Sequence, residues 1–403
     1  MAQKTTLKRR LNISLLILYG LGTTIGAGIY ALIGEVAGTS GLYAPLAFFV
    51  AAVLAGFTAI SFAEMSGRFP GAAGSALFVL KGFGSVRLST LVGLLVIFAG
   101  ITSASALTNA FVGYLHQFIG MGYYLAILLT VLMLGVIAAI GILESVVVAS
   151  VITVIEIFGL ILVVGVNYES LALLPDRINE LVPPIDFQIW GVIFAGAILA
   201  FYAFLGFEDM VVLAEEVKDV RRVLPLAILT VLGITTVLYL IVMTTAVLAL
   251  PPGELMASEA PLSLLYRKGT GNDPMLINAI AVVSIINGAL IQLIMASRLL
   301  YGLGSENQIH TIFSYVSSIT HTPLIATALV TVLILLLSVL GTLKGLAEAT
   351  SLIMLIVFAL VNLSAWRVKH REPMHQEIRL FPKWIPLTGF FVSTGFALYS
   401  LFV

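Results

Sequence analysis

The sequence predicts an all-α polytopic membrane protein, and three observations carry that prediction. The chain has 403 residues, of which 60% are hydrophobic and only 10% are charged, and its mean hydropathy is +1.12. Because soluble domains are about one quarter charged, a soluble fold of this length would lack polar side chains for its surface. The apolar residues also form long runs without the alternation of a barrel strand, and a membrane helix needs about 20 such residues.

About eleven apolar runs follow one another along the chain. We predict spans near 12–34, 42–65, 89–118, 123–141, 144–166, 188–213, 225–250, 275–302, 323–341, 346–366 and 384–403. The Gly-rich stretch 67–88, between the second and third runs, is expected to form an interfacial hairpin. The whole chain, 1–403, is predicted to be a single transmembrane domain.

Basic residues indicate how the spans are oriented. With a cytoplasmic N-terminus, sixteen of the 20 Lys and Arg residues lie on the cytoplasmic side of the predicted spans and four on the other side. This asymmetry is the positive-inside pattern of a membrane protein. We therefore expect a multi-pass protein of the cell (inner or plasma) membrane, with a cytoplasmic N-terminus and an extracytoplasmic C-terminus.

Charge and composition disfavour several other classes of protein. The net charge is zero, so nothing points to a nucleic-acid partner. The chain has no cysteine, and its five histidines lie near predicted span ends or in loops, without the spacing of metal ligands. An intramembrane enzyme would need a buried nucleophile or a metal set, so we expect neither an enzyme nor a metal cofactor. The oligomeric state stays open.

Two predicted spans contain features that weaken a helix at membrane depth. The first span includes "GLGTTIGAGIYALIG" at 20–34, and the sixth includes "FYAFLGFED" at 201–209. These spans open two blocks of five, 12–166 and 188–366, and 384–403 is left as an extra helix. Because five is odd, the second block runs inverted. Transporters built from inverted repeats place broken helices in corresponding positions of the two halves.

A pair of broken helices offers binding groups for a zwitterion. Free N–H groups at a half-helix N-terminus hold a carboxylate, and unwound carbonyls hold an ammonium group or a cation. The paired breaks therefore favour a midplane site for an amino acid. The alternative is that the glycines serve close helix packing, as in small-xxx-small interfaces.

Four motifs, in order, resemble those of the amino acid/polyamine/organocation (APC) superfamily of permeases, which have the LeuT-type fold. "TTIGAGIY" resembles the first-helix signature, with Tyr30 where Phe is usual, and "FYAFLGFED" resembles the sixth-helix signature. "EEVKDVRRVLPLAI" at 215–228 and "SRLLYGLG" at 297–304 resemble a loop after the sixth helix and the end of the eighth. The resemblance implies a LeuT-type 5+5 inverted repeat with broken helices 1 and 6.

The resemblance also implies roles for individual residues. Amides that bind the substrate carboxylate would be those of Ile25, Gly26, Ala27 and Gly28. Carbonyls that accept from its amino group would lie near Phe201, Ala203 and Leu205. Phe204, or Phe201, would close over the substrate as an aromatic lid. Glu208 would belong to an inner gate, although a carboxylate at that position is also typical of a helix N-terminal cap.

Glu156 lies in the interior of the fifth predicted span, within "VITVIEIFGLILVV". Ionisable residues at this depth are functional candidates by default. Burial favours the neutral acid and a nearby cation favours the carboxylate. Glu156 is therefore a candidate for proton coupling, with Na⁺ ligation and a permanently protonated packing residue as alternatives.

Together these observations predict a secondary active transporter of amino acids that alternates access around a midplane site. A cationic substrate should require an acidic side chain there, and apart from Glu156 and Glu208 we identify none at that depth. A neutral, apolar amino acid moved with a proton is therefore favoured. An exchanger, a sodium-coupled amino acid carrier and a polyamine carrier are the alternatives.

Overall fold

The structure is a computed structural model that describes residues 11–71, 74–140, 146–214, 216–372 and 381–402. Of Ala27, Val146 and Val147 only the backbone is described. Sixteen α-helices lie in these ranges: α1 (Ile13–Ser40), α2 (Ala44–Arg68), α3 (Gly74–Phe83), α4 (Val86–Leu115), α5 (Tyr123–Ile140), α6 (Val146–Val166), α7 (Tyr168–Ala172), α8 (Leu174–Arg177), α9 (Phe187–Ala203), α10 (Val220–Ala249), α11 (Pro252–Ala257), α12 (Pro261–Thr270), α13 (Met275–Ser305), α14 (Leu324–Leu340), α15 (Leu343–Arg371) and α16 (Trp384–Tyr399).

Apolar helices account for all the predicted spans. Eight helical stretches are long and apolar enough to cross a membrane, and the first of them contains both α1 and α2. The helices α14 and α16 are also apolar but have 17 and 16 residues. Each of the eleven predicted spans contains one of these helices, which confirms an all-α polytopic membrane protein. The predicted hairpin at 67–88 contains the ten-residue helix α3.

The long helices pack in two main groups. One group consists of α1, α2, α9 and α10, and the other of α4, α5, α13 and α14. Each group thus takes two helices from each predicted five-span block, while the inverted relation between the blocks stays a prediction. We call the end of the bundle at which α1 begins the Ile13 end, and the opposite end the Ser40 end. The hydroxyl of Ser40 donates to the carbonyl of Val192 near the start of α9, so α9 begins at the Ser40 end.

The predicted break in the first span is wrong for this structure, because α1 is one continuous helix from Ile13 to Ser40. Two of its hydroxyls contact the carbonyl of Gly20 within the helix, that of Thr23 at 3.0 Å and that of Thr24 at 2.8 Å. The nearby glycines lie against neighbouring helices, which is the close-packing alternative.

The sixth predicted span is broken, as expected. Helix α9 ends at Ala203, and residues Phe207–Leu213 continue as a 3₁₀ helix. Between them Gly206 has φ = 125°, a backbone conformation that residues with a Cβ rarely adopt. Glycine at position 206 therefore permits the break between the two helices.

A buried group of charges ties α2 to α15 at the Ile13 end. Arg68 pairs with Glu64 at 3.0 Å within α2, and Lys369 of α15 pairs with the other oxygen of Glu64. That second oxygen also accepts from the amide of Phe381 at 3.1 Å, just before α16. Arg68 in turn donates to the carbonyl of Glu372 at 3.0 Å. The cluster is satisfied by backbone groups as well as by counter-charges, as buried ions require.

Candidate functional site

The helices α1 and α9 touch at backbone level where α9 ends. A Cβ placed on Gly28 would lie 2.6 Å from the Cβ of Ala203 and 2.9 Å from its carbonyl oxygen. A Cβ on Gly206 would lie 2.5 Å from the carbonyl oxygen of Thr23. Both distances are too short for an added carbon. Glycine at these two positions is therefore what allows the crossing of α1 with the end of α9.

Side-chain hydroxyls bridge the same crossing. Thr23 donates to the carbonyl of Gly206 at 3.1 Å. The fully buried Tyr239 of α10 lies with its hydroxyl 2.9 Å from the carbonyl of Thr24 and 3.0 Å from that of Ala203. One hydroxyl hydrogen is shared between two carbonyls from different helices. Sequence reasoning did not predict a role for Tyr239. Its one signal in the sequence is a Tyr within an apolar span, because the O–H of a buried Tyr needs a hydrogen-bond partner.

Aromatic rings surround the crossing on the side of α2 and α10. The ring of Phe204 lies 5.2 Å from that of Tyr239 and 6.3 Å from that of Phe48, both in edge-on geometry. Phe201 packs on Phe358 of α15 at 5.7 Å. All these rings are buried, so a ligand held at the crossing would meet aromatic, apolar walls.

Most of the predicted binding groups at the crossing are engaged with the protein itself. The amides of residues 25–28 lie inside a continuous helix, where each donates to the carbonyl four residues earlier. The carbonyl of Phe201 accepts from the amide of Phe204 at 3.0 Å, and that of Ala203 from Tyr239. The amide of Leu205 donates to the carbonyl of Tyr202 at 3.1 Å. The structure thus brings Gly28 and Ala203 together in a closed arrangement.

Glu156 of α6 lies against α1 on the other side of the crossing. Its side chain is fully buried, and a Cβ on Gly26 would lie 2.7 Å from its Oε1. The hydroxyl of Tyr30 donates to the backbone carbonyl of Glu156 at 2.7 Å. Gly26 therefore lets the carboxyl group approach the backbone of α1, two residues from the contact of Gly28 with Ala203.

Two further carboxyl groups follow the break. Oε2 of Glu208 accepts from the amide of Gly206 at 2.9 Å, which fits the capping alternative given above for this residue. Asp209 is 5% exposed, and one of its oxygens lies 3.5 Å from Nε2 of Gln292 on α13. The prediction passed over Asp209, although it adjoins Glu208 in the motif.

The whole described chain matches one known family. The model of the family described as amino acid permease matches residues 11–403. The chain belongs to the amino acid permease family. The permease is 26% identical over 390 residues to a branched-chain amino acid permease of Bacillus subtilis. The alignment covers 91% of this chain and 82% of that protein.

Other relatives are also transporters. An uncharacterised transporter of Mycobacterium tuberculosis is 29% identical over 363 residues, with 89% of the permease and 80% of the relative covered. A mitochondrial cationic amino acid transporter of Arabidopsis thaliana is 29% identical over 381 residues, with 89% and 62% covered. These findings confirm the resemblance to APC permeases, and they identify a membrane transporter of amino acids.

Proposed function

We propose that this permease is a secondary active transporter of a neutral, apolar amino acid, coupled to protons through Glu156. The observation that carries the proposal is the crossing of α1 with the broken span. There the closely approaching backbones, the aromatic rings and a fully buried carboxyl group all meet. We place the Ile13 end in the cytoplasm and the Ser40 end outside, following the distribution of basic residues.

Substrate binding at the crossing requires that α1 moves away from α9. With Gly28 against Ala203 there is no space between these two residues for an amino acid. We infer that the ammonium group takes the position of the Tyr239 hydroxyl at the carbonyl of Ala203. The carboxylate then binds amides of residues 25–28 that become free as this part of α1 unwinds, with Phe204 as the lid. Two glycines at Gly26 and Gly28 make that unwinding less costly, because glycine weakens a helix by about 1 kcal/mol relative to Ala.

Glu156 is placed to couple a proton to that movement. As a neutral acid it packs beside Gly26 at little electrostatic cost, whereas a carboxylate there would have to be stabilised in an apolar, buried environment. We propose that protonation favours the arrangement with α1 against α6, and that deprotonation favours the alternative arrangement. A ligand that binds two states unequally shifts their populations, and here the proton is that ligand.

The surroundings of the crossing favour an apolar side chain. The rings of Phe48, Phe204 and Tyr239 pack together beside it, and Glu208 is engaged with the amide of Gly206. The Bacillus relative is named for branched-chain amino acids, whereas the Arabidopsis relative is named for cationic ones. We favour the former class, and an exchanger, a sodium-coupled carrier and a polyamine carrier are the alternatives.

Uptake into proteoliposomes tests the proposal. The purified protein is supplied with labelled leucine, valine, lysine or putrescine, under an imposed pH gradient, an imposed Na⁺ gradient or neither. We expect leucine or valine to accumulate with the pH gradient only. Glu156→Gln should abolish accumulation but keep exchange of leucine between the two sides, and Glu254→Gln, at an exposed residue of α11, serves as the matched control. Full pH-driven accumulation in Glu156→Gln contradicts the coupling, and preferred uptake of lysine or putrescine contradicts the substrate class.

A further inference from the structure

A cavity of about 220 Å³ lies at the Ser40 end, apart from the α1–α9 crossing. It is lined by residues of α1, α4, the α11–α12 segment and the start of α15, and Tyr123 of α5 also contributes to its wall. On α1 its wall includes Ala31 and Glu35. Ala31 is three residues from Gly28, which is about 4.5 Å along a helix axis. A molecule in the cavity would therefore lie about one helical turn from the proposed substrate site.

Carboxyl groups dominate the charge around this cavity. Glu35 and Glu259, from α1 and from the link between α11 and α12, both line it, and none of its lining residues is Lys or Arg. Glu348 and Lys344, paired with each other at 3.9 Å on α15, also act electrostatically on Glu35. His116 lies 3.3 Å from Glu259. In the part of the chain that the structure describes, there are thus three carboxyl groups but only one lysine and one histidine around the cavity. This excess of negative charge favours a cation in the cavity.

The polar atoms that line the cavity also favour a hydrogen-bond donor. Asn109 is 6% exposed, and its Nδ2 donates to the carbonyl of Gly341 at 3.1 Å. Its Oδ1 has no hydrogen-bond partner among the described residues. A buried acceptor without a donor is destabilising, so this oxygen favours a ligand that donates a hydrogen bond. The hydroxyl of Tyr114, another lining group, already donates to the carbonyl of Tyr30 at 3.1 Å, so it is not free to donate to an anion.

We propose that this cavity is a docking site for a primary ammonium group, occupied before the α1–α9 crossing opens. An ammonium group has three donors and no acceptor, which matches the carboxylates of Glu35 and Glu259 and the oxygen of Asn109. That the bound amine is the amino acid to be transported rests on the proposed function. The binding of an amine does not, because it follows from the lining of the cavity.

The absence of cysteine from the sequence makes a direct test available. A Ser258→Cys variant carries a single thiol in the cavity wall, and its modification by a cationic and by an anionic methanethiosulfonate reagent is timed. Each rate is divided by the rate of the same reagent with a free thiol in solution, and after this correction the local field should favour the cationic reagent by about tenfold. Glu35→Gln combined with Glu259→Gln should bring the two rates close together, whereas Glu254→Gln, outside the wall, should leave their ratio unchanged. If the double substitution does not fold, Glu35→Gln alone is used instead, because Glu35 is only half-buried and Gln has nearly the same shape as Glu.

Protection of the thiol identifies the ligand class. We expect n-butylamine, and amino acids such as leucine, to slow the modification, and butyrate not to slow it. Equal rates for the two reagents, protection by butyrate, or protection by Ca²⁺ but not by n-butylamine would overturn the proposal.

Transport kinetics separate this proposal from the proposed function. In proteoliposomes, Glu35→Gln with Glu259→Gln should raise the KM for the amino acid about tenfold with little change in turnover, the size expected for one lost charge-assisted hydrogen bond. An unchanged KM contradicts a docking role. If the unmodified protein transports no amino acid, the proposed function fails, while protection by n-butylamine still decides whether the cavity binds amines.

Discussion

The substitution Gly28→Ala tests the close approach of α1 to the end of α9. The added methyl group would lie 2.6 Å from the Cβ of Ala203, while carbon atoms in favourable contact are about 3.5–4.0 Å apart. The neighbouring atoms belong to the backbone and to a methyl group, neither of which can rotate away. Helix α1 must therefore move by ~1 Å, and the bridge from Tyr239 to Thr24 and Ala203 must lengthen.

Two opposing effects set the magnitude. Replacing Gly by Ala within a helix stabilises it by about 1 kcal/mol. Overpacking of a tight contact costs about 1–3 kcal/mol, and a weakened hydrogen bond costs about 1 kcal/mol more. We therefore expect Gly28→Ala to be destabilised by about 1–3 kcal/mol. The matched control is Gly233→Ala on α10, where an added Cβ would meet no atom within 4 Å, and it should gain up to about 1 kcal/mol.

The measurement is thermal unfolding in detergent, followed by intrinsic tryptophan fluorescence for the unmodified protein and both variants. The ranking is the decisive result: Gly233→Ala should unfold at the highest temperature and Gly28→Ala at the lowest. If Gly28→Ala unfolds at or above the temperature of Gly233→Ala, the two backbones do not touch at this position, and the closed crossing described above is refuted.

Three further substitutions address the groups around the crossing and the buried charges. Tyr239→Phe removes the hydroxyl shared by two carbonyls and should lower the stability measured by thermal unfolding by about 1–3 kcal/mol. The control is Tyr168→Phe, at an exposed ring, which should have a smaller effect. Equal effects of the two substitutions would contradict the bridge. Glu64→Gln leaves Lys369 without its buried carboxylate and should cost about 3–5 kcal/mol, seen as loss of monodisperse protein on size exclusion. Adding Lys369→Met should restore part of the yield, and no recovery would mean that the pairing is not the cause. Glu208→Gln keeps an acceptor for the amide of Gly206 at the break, whereas Glu208→Ala removes it and should lower the stability by about 1 kcal/mol. Uptake should therefore be higher in Glu208→Gln than in Glu208→Ala. Equal losses of uptake would favour a role for the charge instead.

Hydropathy was sufficient to predict the helices, because a span must be both long and apolar wherever it lies in the bundle. The break at 203–206 could also be predicted. Gly206 has a positive φ there, and glycine is the residue in the sequence that indicates such a backbone conformation. The glycines of α1 carried a weaker signal. Glycine serves unwinding and close packing equally well, and which of the two applies depends on neighbours such as Ala203 and Glu156, which come from other helices.

Other features of the site depend on how distant segments meet. Tyr239 is 215 residues from Thr24, whose carbonyl it contacts, so no local pattern could pair them. The cavity at the Ser40 end is formed by segments as far apart as Ala31 and Leu343, and its acidic lining appears only when Glu35 and Glu259 share one wall. Sequence reasoning searched for charges at midplane depth and so passed over both of these residues.

The buried charge cluster at the Ile13 end has a consequence for how the chain is made. Glu64 and Lys369 are 305 residues apart, so at about 5–20 residues per second the carboxylate is synthesised roughly 15–60 s before its lysine. During that interval Arg68, one turn further along α2, is its nearby counter-charge. The amide of Phe381 arrives later still, at the start of α16. The second helix can therefore reach its final environment only after the chain has been synthesised as far as Phe381.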